Sequence, residues 1–376
     1  GSIRAGVRIQ SGLEDMDIRI SHCLIDLDLS ANGLGLHGIF IDNTNPGSVV
    51  IHNNIICGVP ENTSGPRGIH SYGAPPEGPR IFCNNTIANF GTGIFISDTV
   101  GHNIARNNLV YRCDDPFRGN FNPQSDHNAT DGADNTGGAN DREGESFSFR
   151  DEKNLDLRLD PDDSGARDHG ETIAGDLTLS FSDDIDYQTR GTAGDWDIGA
   201  DEAVTRIYRS VGPDETGSLE NGSGNTLTIS GSTVTFASGI DDAIGVGDVI
   251  EYDYNNSGSV NAAAFIHGRT DSTHYTVKSL TGTVPVQTTA ADEDWDIYRA
   301  YTSLSNAEDG TENSGCAYFG TSVSDPHSGG GVDLEANNYQ WNIACYANGS
   351  TADTVSDTRI RDWTTTKECY LRIYTP

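Results

Sequence analysis

The chain has 376 residues, above the ~250–300 at which one hydrophobic core stops growing, so several domains or an elongated solenoid are expected. Its 56 Asp and Glu against 23 Lys and Arg give a net charge of −33, which repels phosphate and anionic headgroups and favours divalent cations. Nucleic acid and anionic membrane surfaces are therefore not expected partners, and no apolar run approaches the ~18 residues of a membrane span.

The first elements in chain order form a repeat. Four segments place a glycine before alternating apolar residues: Gly6-Val7-Arg8-Ile9, Gly38-Ile39-Phe40-Ile41, Gly68-Ile69-His70-Ser71 and Gly93-Ile94-Phe95-Ile96, at steps of 32, 30 and 25 residues. A second element lies between them, at 20–25 (ISHCLI), 51–56 (IHNNII), 82–87 (FCNNTI) and 105–110 (ARNNLV). Aligned on its polar pair, its steps are 31, 31 and 23. Short alternating strands at this period, without helical periodicity, wind into a coil in which each turn lies over the one before. The inward residues expected are Ile9, Ile20, Ile25, Ile39, Ile41, Ile56, Ile69, Ile87, Ile94, Ile96 and Val110. Asparagine tolerates a left-handed corner, and its amide both donates to and accepts from amides above and below. Asn54, Asn85 and Asn108 are thus expected to form a ladder, with Cys23 in the same place of the first coil. The plainer alternative is that the Asn-Asn pairs mark ordinary turns.

After Asp114-Asp115 the repeat fades, and residues 116–202 hold 22 of the 56 acids. This stretch reads as irregular loops laid over the last coils, with Trp196 and Ile198 on one side of a strand that plugs an open end. From about Thr205 the alternation in TLTISGSTVTF, DVIEYDY, AAAFIHG, HYTVKSL and WDIYRAY predicts a compact antiparallel β domain. Residues 301–376 add further strands and one helical candidate, TSLSNAEDG.

The coil residues resemble the right-handed parallel β-helix repeat of the pectate-lyase-like superfamily. The likeness extends to large bacterial surface proteins in which similar coils run into an acidic region closed by a stretch like DIDYQTRGTAGDWDIGADE, here Asp184 to Glu202. The resemblance implies an all-β fold, a right-handed parallel β-helix followed by one or two small antiparallel β domains. The boundaries expected are 1–202 for the β-helix with its acidic loops and closing segment, 203–300 for an antiparallel domain and 301–376 for an appended β segment.

β-Helices of that superfamily often cleave acidic polysaccharides by β-elimination, which needs calcium or arginine on the uronate and an Arg or Lys base. Residues 1–115 contain no lysine, and Arg4, Arg8, Arg19, Arg67, Arg80, Arg106 and Arg112 do not recur in a register that lines one groove. A hydrolase needs two carboxylates ~5–10 Å apart. Asp114 and Asp115 are the best candidates, with His37 and His70 as neighbours, but adjacent strand residues face opposite ways, so a solvated acidic corner ending a coil is the favoured explanation. For calcium, Asp253, Asn255, Ser257 and Asn261 take positions 1, 3, 5 and 9 of an EF-hand-type loop, with Gly258 at position 6. Position 12 is Ala264, so the bidentate carboxylate is missing, and a hairpin turn is the alternative. The loop at 131–141 offers Asp131, Asp134, Asn135 and Asp141. Histidines His22, His37, His52, His70 and His102 read as scattered. Cys23, Cys57, Cys83 and Cys113 read as small buried residues, and Cys345 with Cys369 as a disulfide candidate.

Acidity, only three lysines (Lys153, Lys278 and Lys367) and six N-x-S/T sequons fit an extracellular or cell-surface setting. The reading is a non-catalytic structural or adhesive protein. Strand-like segments at Ile3–Gln10 and Leu371–Tyr374 are expected to be unpaired in a lone chain, so one subunit completes its neighbour head to tail, or a longer polypeptide continues there. The rivals are a polysaccharide lyase or glycosidase, and a carbohydrate-binding module.

Overall fold

Short alternating runs broken by asparagine and glycine become strands of two to six residues in the first part of the chain. In order these are β1 (Arg4–Ile9), β2 (Asp17–Ser21), β3 (Leu24–Asp26), β4 (Leu36–Ile41), β5 (Ser48–His52), β6 (Ile55–Cys57), β7 (Arg67–Ser71), β8 (Arg80–Cys83), β9 (Thr86–Ala88), β10 (Thr92–Ile96), β11 (Asn103–Arg106), β12 (Leu109–Tyr111), β13 (Asp115–Arg118) and β14 (Ala129–Thr130). The computed structural model describes residues 4–10, 16–27, 36–42, 47–59, 65–73, 78–99, 101–173, 181–190, 196–327, 329–349, 351–353 and 358–376. Ile3 and the sequon at Asn62 lie outside them.

The chain visits three parallel sheets in rotation. The first runs β1-β4-β7-β10-β13, the second β2-β5-β8-β11 and the third β3-β6-β9-β12-β14. Register holds from coil to coil: Val7 opposes Ile39, Ile39 opposes Ile69, Ile69 opposes Ile94, and Ile94 opposes Phe117. Equivalent residues therefore stack into one interior, an arrangement compatible with a β-helix. Ile9, Ile39, Ile41, Ile56, Ile69, Ile87, Ile94, Ile96 and Val110 are buried in that core, and Ile20 and Ile25 pack against it partly buried. Val49, Ile51, Phe82, Phe90 and Phe117 complete it.

The corner between the second and third sheets is built by the polar pairs. Its first residue is left-handed in every coil: His22 (φ 56°), Asn53 (51°), Asn84 (51°), Asn107 (54°) and His127 (55°). The second residue faces inward and forms the ladder. Asn54 Nδ2 donates to Asn85 Oδ1, Asn85 Nδ2 to Asn108 Oδ1, and Asn108 Nδ2 to Asn128 Oδ1, each at 3.0 Å. The Cys23 backbone N–H donates to Asn54 Oδ1 at 3.1 Å, which places Cys23 at the head of the ladder. Asn128 is a rung that the sequence pattern missed, because apolar alternation around it is weak.

The repeat glycines have a steric cause. A Cβ on Gly68 would collide with Ile87 Cγ2 and sit 2.7 Å from the Gly93 carbonyl oxygen, and Gly38 and Gly93 face equivalent neighbours one coil away. Gly68→Ala is expected to cost about 1–3 kcal/mol by overpacking a site enclosed by backbone. An unchanged denaturation midpoint would contradict this packing.

After β14, Arg142 bridges Ala129 in parallel, and the apolar residues that follow in the first unit pack on the outside of the second and third sheets. Ile173, Phe181 and Trp196 cover Val50, Ile81 and Cys83 on the outer face of the second sheet. Ile198 covers Leu109 and Ala129 on the third sheet. Ala200 and Leu157 cover Ile55, Cys57 and Ala88. The expected plug is thus corrected: Trp196 and Ile198 belong to different clusters, because the second and third sheets carry apolar residues on both faces. A short antiparallel pair, β15 (Phe149–Asp151) with β16 (Asp156–Leu159), belongs to this covering layer.

The second compact unit spans Val204–Pro376. Its strands are β17 (Thr205–Val211), β18 (Glu220–Asn221), β19 (Leu227–Ser230), β20 (Thr233–Phe236), β21 (Val249–Tyr252), β22 (Ala262–Arg269), β23 (His274–Lys278), β24 (Trp295–Tyr298), β25 (Tyr339–Cys345) and β26 (Leu371–Tyr374). Seven form an antiparallel sheet, β18-β24-β21-β22-β23-β20-β19. The other three form a parallel sheet, β17-β25-β26, which local alternation does not announce because its partners are far apart in sequence. The helical candidate is α1 (Leu304–Asp309), capped by the Ser303 side chain accepting from the Asn306 N–H and ended by left-handed Gly310.

Both terminal strands are paired on one edge within the chain, β1 with β4 and β26 with β25, which corrects the expectation that they stand unpaired. Cys345 and Cys369 are free thiols, as are the other five cysteines.

Candidate functional site

The outer face of the first sheet carries a file of five stacked side chains. Register aligns Arg8, Phe40, His70, Phe95 and Arg118 across β1, β4, β7, β10 and β13. The Arg8 guanidinium lies 5.5 Å from the Phe40 ring centre, and Arg67 and Arg118 lie 4.0 and 5.3 Å from that of Phe95. His70 packs 5.0 Å from Phe40 and 4.9 Å from both His37 and Phe95. Tyr72 stands beside the file, 49% exposed. One expectation is corrected here. His37 and His70 do meet, because coils 30 residues apart in sequence are adjacent in space, whereas Arg8 and Arg67 stand at different register positions, as expected, and Arg118, beyond the arginines considered, is the one that aligns with Arg8.

Burial, then the Arg67 charge, lowers His37 to about 4 and His70 to about 3, so both are neutral at physiological pH. The acids on this face are held by arginine: Asp42 by Arg8 at 2.7 Å and Asp115 by Arg118 at 3.5 Å. Burial raises the Asp115 carboxyl, against Arg118. Asp114 is exposed just before β13, and the register puts Asp115 three strands along from His37, so the expected grouping of these residues is not assembled.

A second polar constellation holds the covering layer, the closing segment included. The outward asparagines bind it: Asn53 Nδ2 donates to the Asp183 carbonyl (2.8 Å), Asn84 Nδ2 to the Gly199 carbonyl (3.3 Å) and Asn107 Nδ2 to the Glu171 carbonyl (2.8 Å). Buried Arg190 donates to Glu202 Oε2, Asn53 Oδ1 and the carbonyls of Gly199 and Ala200, at 3.0–3.2 Å. Asp184, Asp197 and Asp201 accept backbone N–H groups of the same layer. Burial raises all three carboxyls, Asp197 well above the ordinary range and Asp201 to about 8.

A carboxyl raised in the folded state stabilises fully below its unfolded value near 3.8, and that stability is lost as pH rises through about 8. The depressed histidines, His52 at about 3 among them, act oppositely and only below their unfolded value of 6.5. Between pH 6.5 and 8 the carboxyls therefore act alone, and stability of the first unit is expected to fall as pH rises. Unfolding followed through Trp196 checks it, and Asp201→Asn should flatten the slope.

The Asp253–Asn261 segment is the loop of the β21–β22 hairpin. Asp253 accepts from the Asn255 N–H (3.1 Å), the Gly258 N–H (2.7 Å) and Ser257 Oγ (3.1 Å). Burial disfavours its ionised form, but these bonds outweigh it and hold the carboxyl at about 2. Asn261 Nδ2 sits at the loop's centre, donating to Asp253 Oδ1 (2.8 Å), Asn255 Oδ1 (2.7 Å) and Ser257 Oγ (3.1 Å). The oxygens expected to face a cation converge instead on an amide of the chain. A different group brings carboxylates together, since Asp253, Asp292 and Asp294 each place an oxygen within 4.8 Å of the others. Sequence reasoning missed Asp292 and Asp294, which reach Asp253 only because β24 pairs with β21.

Among known proteins, the chain matches no family model, no curated protein and no solved structure. No helix among the described residues is long and apolar enough to cross a membrane.

Proposed function

We propose that this chain is a non-catalytic, extracellular structural or adhesive protein, with a right-handed parallel β-helix of the pectate-lyase-like kind as its first unit and a carbohydrate-recognising face on its first sheet. The observation that carries this reading is the accessible part of that file, Arg8, half-buried Phe95 and Arg118 with exposed Tyr72 beside them, while Phe40 and His70 are buried and only support it. Aromatic faces stack on the C–H faces of sugars, and arginine forks bind carboxylates and hydroxyls. The carboxylates of this face are tied to arginines, and histidines as weakly basic as His37 and His70 are poor general bases at neutral pH. Both points favour binding over turnover. The rotation of strands through three sheets and the inward asparagine ladder support the β-helix reading.

Polysaccharide cleavage is the second reading, favoured by the raised Asp115 carboxyl on the same face. Affinity electrophoresis against uronate-containing and neutral polysaccharides, run beside reducing-end and ultraviolet assays, separates the two. Retention without turnover, weakened in Tyr72→Ala and Phe95→Ala, is the expected result. Turnover abolished in Asp115→Asn would replace the first reading with the second, and neither retention nor turnover would overturn both.

Calcium and self-association belong to the same proposal. Calcium at Asp253, with Asp292 and Asp294, should raise the melting temperature relative to chelator, and superimposable curves would remove it. Self-association uses the outer edges of β1 and β26, and a native mass of one chain at every concentration would exclude it.

A further inference from the structure

Residues 181–190 and 196–203 of the covering layer form a strap over the coils, and the inside of that strap is crowded with acid. Asp184, Asp197, Asp201 and Glu202 are buried, while Arg190 is the one buried cation of the strap among its described residues. Arg190 is already paired with Glu202, at 3.0 Å. Asp184 and Asp197 are met by backbone N–H groups instead. Asp184 Oδ1 accepts from Asp186 and Gln188, both at 2.9 Å, and the Asp197 oxygens accept from Asp168 and Ala203, both at 2.7 Å. Asp201 is served least well. Its Oδ2 accepts from the Leu159 N–H at 2.9 Å and lies 3.8 Å from Arg150, but its Oδ1 is buried with no hydrogen-bond partner. Ionisation would spread charge onto an oxygen that no donor solvates.

The other charged groups facing the strap do not supply the missing cations. Arg158 is paired with Asp186 and Asp156, and Arg167, which favours the Asp197 anion, lies 3.5 Å from exposed Asp168. From the coils, His22 Nε2 stands 3.3 Å from Asp183, and the His52 ring stacks 4.2 Å from Phe181. Burial, then Arg19, His22 and Arg190, lowers His52 to about 3, so it stays neutral at neutral and alkaline pH. Two thiols lie under the strap. Phe181 and Trp196 pack with Cys83, and Ala200 packs with Cys57, both cysteines fully buried. Cys113 belongs instead to the coil interior.

We propose that the strap is a pH-gated lid: its carboxyls must hold protons to stay buried, and their ionisation lifts it from coils that remain folded, exposing Cys57 and Cys83. Burial raises Asp184, Asp197 and Asp201, the last to about 8, so the closed strap binds protons that the open one releases. Closure therefore weakens as pH rises through about 8. This device does not depend on the recognition face proposed for the first sheet.

Alkylation of the full chain with iodoacetamide at about pH 6.5 and about pH 9, read residue by residue by mass spectrometry, tests it. Dividing each rate by that of the same thiol in the urea-unfolded chain at the same pH removes the thiol's own ionisation. One carboxyl that titrates near 8 makes opening about tenfold more frequent at the higher pH. The relative rates of Cys57 and Cys83 should thus rise about tenfold or more, while that of Cys113 stays constant. Asp201→Asn should remove about tenfold of the rise, and Asp197→Asn should reduce it as well. Equal relative rates at the two pH values, a Cys113 rate that rises with the other two, or a rise that survives both substitutions would each overturn the proposal.

Discussion

Asp325→Ala is expected to destabilise the second unit by about 3–5 kcal/mol, the cost of leaving a buried charge without its partner. Asp325 Oδ2 accepts from Arg209 Nε at 2.6 Å and from the Tyr301 hydroxyl at 2.5 Å, and Oδ1 accepts from Arg209 Nη2 at 3.1 Å. Neither Arg209 nor Asp325 has access to solvent through its side chain. The guanidinium lies 3.6 Å from the Phe265 ring centre and 5.2 Å from that of Trp341. Burial alone would push the Asp325 carboxyl up, but Arg209 and His327 outweigh it and hold it at about 2. Its contribution is present above the ordinary carboxylate value and is lost as pH falls through about 2. Urea unfolding followed through tryptophan fluorescence of the second unit measures the loss. Tyr301→Phe removes one hydroxyl but keeps the ion pair, so it should cost only about 1–2 kcal/mol. An Asp325→Ala loss no larger than that of Tyr301→Phe would show that the pair does not hold the core. Replacing both charges, Arg209→Met with Asp325→Leu, should recover much of the loss, because no buried charge remains.

Asn85→Ala should cost the first unit about 3 kcal/mol or more, because each buried polar group left unsatisfied costs about 1–3. The Asn85 side chain accepts from the Asn54 N–H and Nδ2, and donates to the Ile51 and Cys83 carbonyls and Asn108 Oδ1, all within the interior. Deleting one rung leaves groups of the coils on both sides unpaired. The adjacent Asn84 gives the contrast, since its side chain faces the closing segment and donates to the Asp197 and Gly199 carbonyls at 3.4 and 3.3 Å. Asn84→Gly retains the left-handed corner. It should cost less than Asn85→Ala, about 1–2 kcal/mol, while making residues 196–203 easier to cleave by limited proteolysis. If the two substitutions act alike in both assays, the division of labour within the pair is refuted.

That division explains what was legible in the sequence. The repeat, its inward isoleucines and the rungs Asn54, Asn85 and Asn108 were readable because stacking forces equivalent residues into equivalent environments, which leaves a periodic trace. The glycines were readable as markers, although their cause, contact with a side chain of the third sheet and a carbonyl of the next coil, needed coordinates. The calcium loop showed the opposite limit. Asp253, Asn255, Ser257 and Asn261 have the spacing of cation ligands, yet spacing does not say which way an amide turns, and Asn261 presents its nitrogen.

By itself the sequence determined the all-β character, the coil period, the core residues of the first unit and the acidic field, because each is a local or periodic property of the chain. Tertiary structure alone decided which distant residues meet. It laid Trp196 on the second sheet and Ile198 on the third, joined β17 to β25, closed the Arg209–Asp325–Tyr301 cluster, and aligned Arg8 with Arg118 along one face. These contacts depend on pairings between segments tens to more than a hundred residues apart. Alternation states which side of a strand is buried and carries no information about what buries it.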